Sequence, residues 1–80
     1  MNQKVIRMLN LRDMKTGTDC IVTWVVGIWA DALRKKYDVH ENDWIHVVEN
    51  DGRGMIITVH DKRLALSGEI AGSVKVASAA

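Results

Sequence analysis

The stretch Trp44-Ile45-His46-Val47-Val48-Glu49-Asn50-Asp51-Gly52-Arg53-Gly54-Met55-Ile56-Ile57-Thr58-Val59-His60 decides the architecture. Residues 43–49 and 55–60 are rich in β-branched side chains, which sit well on a pleated surface. Between them lies Asn50-Asp51-Gly52-Arg53-Gly54, a run of turn formers, so the whole reads as a β-hairpin. A two-residue Asp51-Gly52 turn would set Val47 opposite Ile56. That register puts Ile45 and Val47 on one face with Ile56 and Thr58. A one-residue shift, with a bulge at Gly54, instead puts Ile45, Val47, Met55, Ile57 and Val59 on one face. The second register is preferred because it gathers the apolar residues inward and leaves Trp44, His46, Thr58 and His60 outside.

Upstream of the hairpin, residues 19–26 form another branched run, Cys20-Ile21-Val22-Thr23-Trp24-Val25-Val26, ended by Gly27. Trp29, Ala32, Leu33 and Tyr37 then recur at helical spacing, which predicts an α-helix of roughly three turns over 29–37. Asp31 near its start and Arg34, Lys35 and Lys36 near its end suit the helix dipole. Lys15-Thr16-Gly17-Thr18 reads as a turn, after an opening segment over residues 9–14. Downstream, 62–66 reads as a short strand with Leu64 and Leu66 inward. Ser67 caps a brief helical turn over 67–71, and Val74 and Val76 belong to a last strand. Residues 1–8 read as an N-terminal extension or an edge strand, residues 9–77 as the domain, and 78–80 as a frayed tail.

About five short strands bury little as a flat sheet. Curling into a small barrel closes one core, so the expected fold is mainly β: a small SH3-like barrel with one inserted helix. The chain has 80 residues, enough for one domain. Apolar residues make up 48% but aromatic ones only 5%, so the core must be Val, Ile, Leu and Met. A formal net charge of +1 argues against a dedicated nucleic-acid binder, whose affinity rests on phosphate neutralisation. The one cysteine, Cys20, leaves no intrachain disulfide, which suits a reducing cytoplasm. Met1 to Asp13 carries Lys4, Arg7, Arg12 and Asp13 and does not read as a signal peptide. No apolar run approaches a membrane span.

These segments, in this order, resemble the FeoA (ferrous iron transport protein A) family. Leu11, Met14 and Gly17 are similar to its opening Leu-x-x-(Leu/Met)-x-x-Gly. Val25-Val26-Gly27 before the helix, Ile45 and Val47, and Met55-Ile56-Ile57-Thr58-Val59 follow its pattern. So do Leu64-Ala65-Leu66, Ala71 and Val74-Lys75-Val76. The resemblance spans about Leu9 to Val76. It implies an SH3-like barrel and an accessory role beside a FeoB-type membrane GTPase-permease, by protein–protein binding in the cytoplasm. Two departures stand out. The family has Leu-Gly-(Ile/Leu/Val)-x-Pro-Gly after the helix, and this chain has Tyr37-Asp38-Val39-His40-Glu41-Asn42. It often has glycine before Leu-x-Leu, where this chain has Asp61. Asp38 and Asn42 still tolerate tight-turn conformations.

Among reactive groups, His46 and His60 share the outer face of the hairpin, diagonal to each other with Trp44 nearby. They are the candidates for a divalent metal ion, although without an assigned third ligand they make a poor site. Surface roles are the simpler reading for both and for His40. Cys20 starts an apolar strand and reads as buried and inert. No carboxylate pair, phosphate loop or Gly-x-Ser-x-Gly element supports an enzyme. Arg34, Lys35 and Lys36 read first as a solvated helix face and second as a contact for an acidic patch on a partner. The expected partner surface is Trp44 with Arg34, Lys36 and His60, and a second copy of the chain is another occupant for it. Two alternatives remain: an SH3-like module acting with a metal-dependent transcription regulator, and a small nucleic-acid-binding barrel stacking bases on Trp24 and Trp44.

Overall fold

The computed structural model describes residues 8–78. Six antiparallel strands form one sheet: β1 (Leu9–Asn10), β2 (Asp19–Val25), β3 (Trp44–Asn50), β4 (Gly54–Val59), β5 (Lys62–Ser67) and β6 (Val74–Ser78). Their order across the sheet is β1-β6-β2-β3-β4-β5, so the last strand lies between the first two. A 3-10 turn over Leu11–Asp13 follows β1. Two short helices, α1 (Ala30–Lys35) and α2 (Gly68–Ala71), interrupt the strands. The fold is mainly β, as expected of an SH3-like small barrel, with one strand more than the five anticipated because Leu9–Asn10 pairs with β6.

The hairpin adopts the second of the two registers. Ile45, Val47, Met55, Ile57 and Val59 are all buried, and Val47 faces Ile57. The extra residue, however, is Val48 in β3 rather than Gly54: the pairing steps from Val47↔Ile57 to Glu49↔Ile56. A bulge there is stable because Asn50 anchors the strand immediately beyond it. Its side-chain amide donates to the carbonyls of Arg12 (2.8 Å) and Met14 (2.7 Å), and its Oδ1 accepts from Gly52 N–H. Asp51 then closes the loop by accepting from the amides of Arg53 and Gly54, and these two bonds hold its carboxyl below the ordinary 3.8. A similar step in β2, between Val22 and Trp24, keeps Val22 and Val25 inside and turns Trp24 out.

Between Gly27 and Asp38 the helix is shorter than the apolar spacing suggested: six residues instead of nine. Both ends of that segment are turns. Ala30 N–H bonds the Gly27 carbonyl, and Tyr37 N–H reaches the Ala32 carbonyl with Val39 N–H on Leu33 (2.9 Å). Asp38, at φ +58°, reverses the chain in the left-handed region. Trp29 and Tyr37 therefore keep the spacing of one face while lying outside the regular helix. Leu33 is fully buried, and Trp29 and Tyr37 pack half-buried against the core. Trp29 Nε1 donates to Glu69 Oε2 at 3.0 Å, tying this segment to α2.

Ser67 caps α2 by accepting from Ile70 N–H (3.2 Å), a contact worth about 1 kcal/mol. The helix packs on β4, β5 and the 3-10 turn, and so covers the gap between the two ends of the sheet. Leu66 is buried as expected; Leu64, on the outermost strand, is only half-buried. β6 runs on to Ser78, which faces Cys20, so the paired structure extends into the expected loose end. Residues 1–7 and 79–80, and with them most of the expected extension and tail, lie outside the described residues. The core is aliphatic throughout, from Leu11 and Val22 to Val74 and Val76. Cys20 is buried within it, and burial with the nearby Asp19 charge pushes its thiol up to about 11. A thiol that stays protonated is a poor nucleophile and metal ligand.

Candidate functional site

Alternation along the strands sets what the outer face carries. Ile45 points inward, so Trp44 points out and is 60% exposed. Trp44 faces Ile21 on β2, and Ile21 faces Ala77 on β6. An apolar row thus crosses three strands, with Trp24 (53% exposed) further along β2. Exposed tryptophan costs hydration without adding to the core, and such residues concentrate at contact surfaces.

Beside this row a shallow cavity of about 260 Å³ is lined by Asp19, Trp44, His46, Thr58, His60 and Asp61, with Ile45 and Val59 at its base. His46 and His60 both line it, yet each turns to its own carboxylate. His46 Nδ1 lies 2.7 Å from Asp19 Oδ1, and His60 Nε2 lies 3.0 Å from Asp43 Oδ2. The histidine that shares a neighbourhood with His60 is His40. One ligand atom each from Asp38, His40 and His60 lie within 4.8 Å of one another. His46 is not part of this group, contrary to the pairing expected from the hairpin.

The loop that carries Asp38 and His40 is held at several points. Asp43 Oδ2 accepts from the His40 backbone N–H at 2.7 Å. The amide of Asp43 bonds the His40 carbonyl, closing a turn with Asn42 at φ +74°, the position where a type II turn favours glycine. Asn42 N–H donates to the Val22 carbonyl and Val22 N–H to the Asp43 carbonyl, docking the loop on β2. His60 and Asp61 form the two-residue turn between β4 and β5, both with positive φ as a type I′ turn requires.

Arg34 does not offer a free guanidinium. Its Nη2 lies 3.0 Å from Glu41 Oε2, and this bond holds the Glu41 carboxyl low. Lys36 is exposed just past α1. Among the residues singled out from sequence, the structure therefore brings together Trp44, His46 and His60 and places Arg34 in an ion pair. Sequence reasoning missed the grouping of Asp38, His40 and Asp43 with His60. The signal for it was the substitution of Asp38 for a family glycine, two residues before a histidine.

No protein-family model and no curated protein sequence matches the chain. Solved structures do. The chain superposes on the iron uptake regulatory protein FeoA with a TM-score of 0.80 and 27% identity, covering 90% of this chain and 99% of that one. A FeoA-like protein from Clostridium acetobutylicum gives 0.79 at 15% identity, covering 95% of this chain and 92% of that one. The fold is FeoA-like. The same FeoA-like barrel also matches part of a manganese-dependent transcriptional repressor, with a TM-score of 0.80 and 13% identity, covering 94% of this chain but 44% of the repressor. None of these comparisons indicates a catalytic family. Among the described residues no helix is long and apolar enough to cross a membrane.

Proposed function

We propose that this chain is a non-enzymatic accessory protein of bacterial ferrous iron uptake that works in the cytoplasm by binding a FeoB-type GTPase-permease. The observation that carries the reading is the row on the outside of a FeoA-like barrel in which exposed Trp44 stands beside half-buried Ile21 and Ala77. An interface needs an apolar centre and a polar rim. The row supplies the centre; His46 and His60 line the cavity beside Trp44, and Lys36 stands exposed just past α1. Arg34, paired with Glu41, contributes by holding the loop after α1 rather than by direct contact. Docking on one conformation of the permease shifts its population by no more than the difference in affinity between the two states.

The test is capture of a detergent-solubilised FeoB-type permease by the purified chain. Trp44→Ala should weaken capture at least tenfold, in line with an aromatic hot spot of about 2 kcal/mol. Lys36→Glu should change it by less than threefold, as rim charges do. Undiminished capture by a Trp44→Ala, Ile21→Asp double variant removes this surface.

The repressor likeness favours a second reading, in which the barrel acts in trans on a metal-dependent regulator. Capture of such a regulator, with none of the permease, would select it.

A further inference from the structure

We propose that Asp38, His40 and His60 form a binding site for a divalent first-row transition cation, with Asp43 as the carboxylate that positions it. This site shares His60 with the border of the docking surface, but its test reads metal binding alone and does not depend on the docking reading.

The ligand types come first. Two imidazoles and a carboxylate make a mixed nitrogen and oxygen donor set, which suits ions such as Zn²⁺, Co²⁺ and Mn²⁺ and does not suit Mg²⁺. Donors 2.0–2.1 Å from a tetrahedral metal lie about 3.4 Å apart. Asp38 Oδ1 and His40 Nδ1 are 3.4 Å apart. The three donor atoms all lie within 4.8 Å of one another, so the His60 ring has at most about 1.5 Å to move. That movement is inexpensive, because the His60 side chain is 44% exposed and restrained chiefly by Asp43.

Asp43 is what makes the group more than a chance meeting of surface side chains. Its Oδ2 is only slightly exposed and takes the His40 backbone N–H at 2.7 Å and the His60 Nε2 at 3.0 Å. One carboxylate oxygen thereby joins the loop after α1 to the β4–β5 turn. A histidine that gives one ring N–H to a carboxylate keeps the other nitrogen for a metal, and such outer partners orient metal-binding rings. The two aspartates also leave the neutral form of the group with net negative charge, which favours a cation.

Backbone conformation supplies the means of a test. Asp38 (φ +58°) and His60 (φ +52°) occupy the left-handed region, as do Asn42 and Asp61, and glycine is easier there. Replacement of Asp38 or His60 by glycine therefore separates ligand loss from fold loss.

The experiment is isothermal titration of the metal-free protein with Zn²⁺ and Co²⁺ chloride, repeated with Mg²⁺. A saturable one-to-one isotherm is expected with the first two ions and none with Mg²⁺. His60→Gly and Asp38→Gly should each weaken binding at least tenfold while leaving the melting temperature unchanged or higher. Bound Co²⁺ should shift the NMR signals of residues 38–43 and 60 most strongly. Absence of saturable Zn²⁺ binding overturns the proposal. So does undiminished affinity in both glycine variants, or loss of the ion in His46→Ala with the glycine variants unaffected, which would place the ion at Asp19 and His46.

Discussion

At the scale of single residues, Asn50 does more for the fold than any charge on the surface. Its side chain satisfies two backbone carbonyls, one within the 3-10 turn and one just after it, and takes one amide in its own loop. Removing one partner of a hydrogen bond leaves the other to be desolvated unmet, at about 1–3 kcal/mol where it is buried. Asn50→Ala should therefore lower stability by about 2 kcal/mol, read as a shift in the urea midpoint with an unchanged slope. The chemistry of Asn50 was legible in sequence only as turn composition. Its partners Arg12 and Met14 lie more than thirty positions away, and no local pattern encodes them. Cys20 was simpler: a cysteine opening a branched strand is buried for the same reason as its neighbours, and the structure gives the protonated thiol that burial implies.

At the scale of elements, alternation was the strongest guide. It separates Ile45 and Val47 from Trp44 and His46, because a strand has a strict period of two. The location of the bulge was not legible, since Val48 and Gly54 shift the register equally and only the Asn50 anchor decides between them. The helix was overestimated because its flanking turns preserve the three-and-four spacing of Trp29, Leu33 and Tyr37 without continuing the helix. Turn chemistry also carries an expectation here. Asp61 sits at φ +61° in the second central position of the β4–β5 turn, where glycine is the preferred residue. Asp61→Gly should raise stability by about 0.5–1 kcal/mol, or roughly 2–8 °C in melting temperature by differential scanning calorimetry. The grouping around His60 escaped sequence reading for a related reason. Asp38 in place of a family glycine, two residues before His40, marks the loop, but no local pattern pairs that loop with the turn that brings His60.

At the scale of the whole molecule, the order β1-β6-β2-β3-β4-β5 divides the chain into two unequal parts. The β3–β4–β5 meander is made of neighbours in sequence, which form early and cheaply because their loops are short. β6 faces β1 on one side and β2 on the other, with Val76 opposite both Leu9 and Val22. Among the described residues no strand pairs with the outer edge of β5, which carries Lys62 and Arg63, or with the outer edge of the two-residue β1. Charge on one edge and brevity on the other both discourage end-to-end association. Deleting residues 74–78 uncovers new, longer edges in place of these. The truncated chain is expected to lose cooperative thermal unfolding and to sediment as aggregates, whereas truncation after Ser78 should leave both properties intact.

The central place of β6 also has a consequence for the order of events in folding. Until residues 74–78 are in place, the meander can form but Leu9 and Val22 have no neighbour between them. Closure of the sheet is then expected as one step rather than a gradual one, and cleavage within this strand should undo it in one cut.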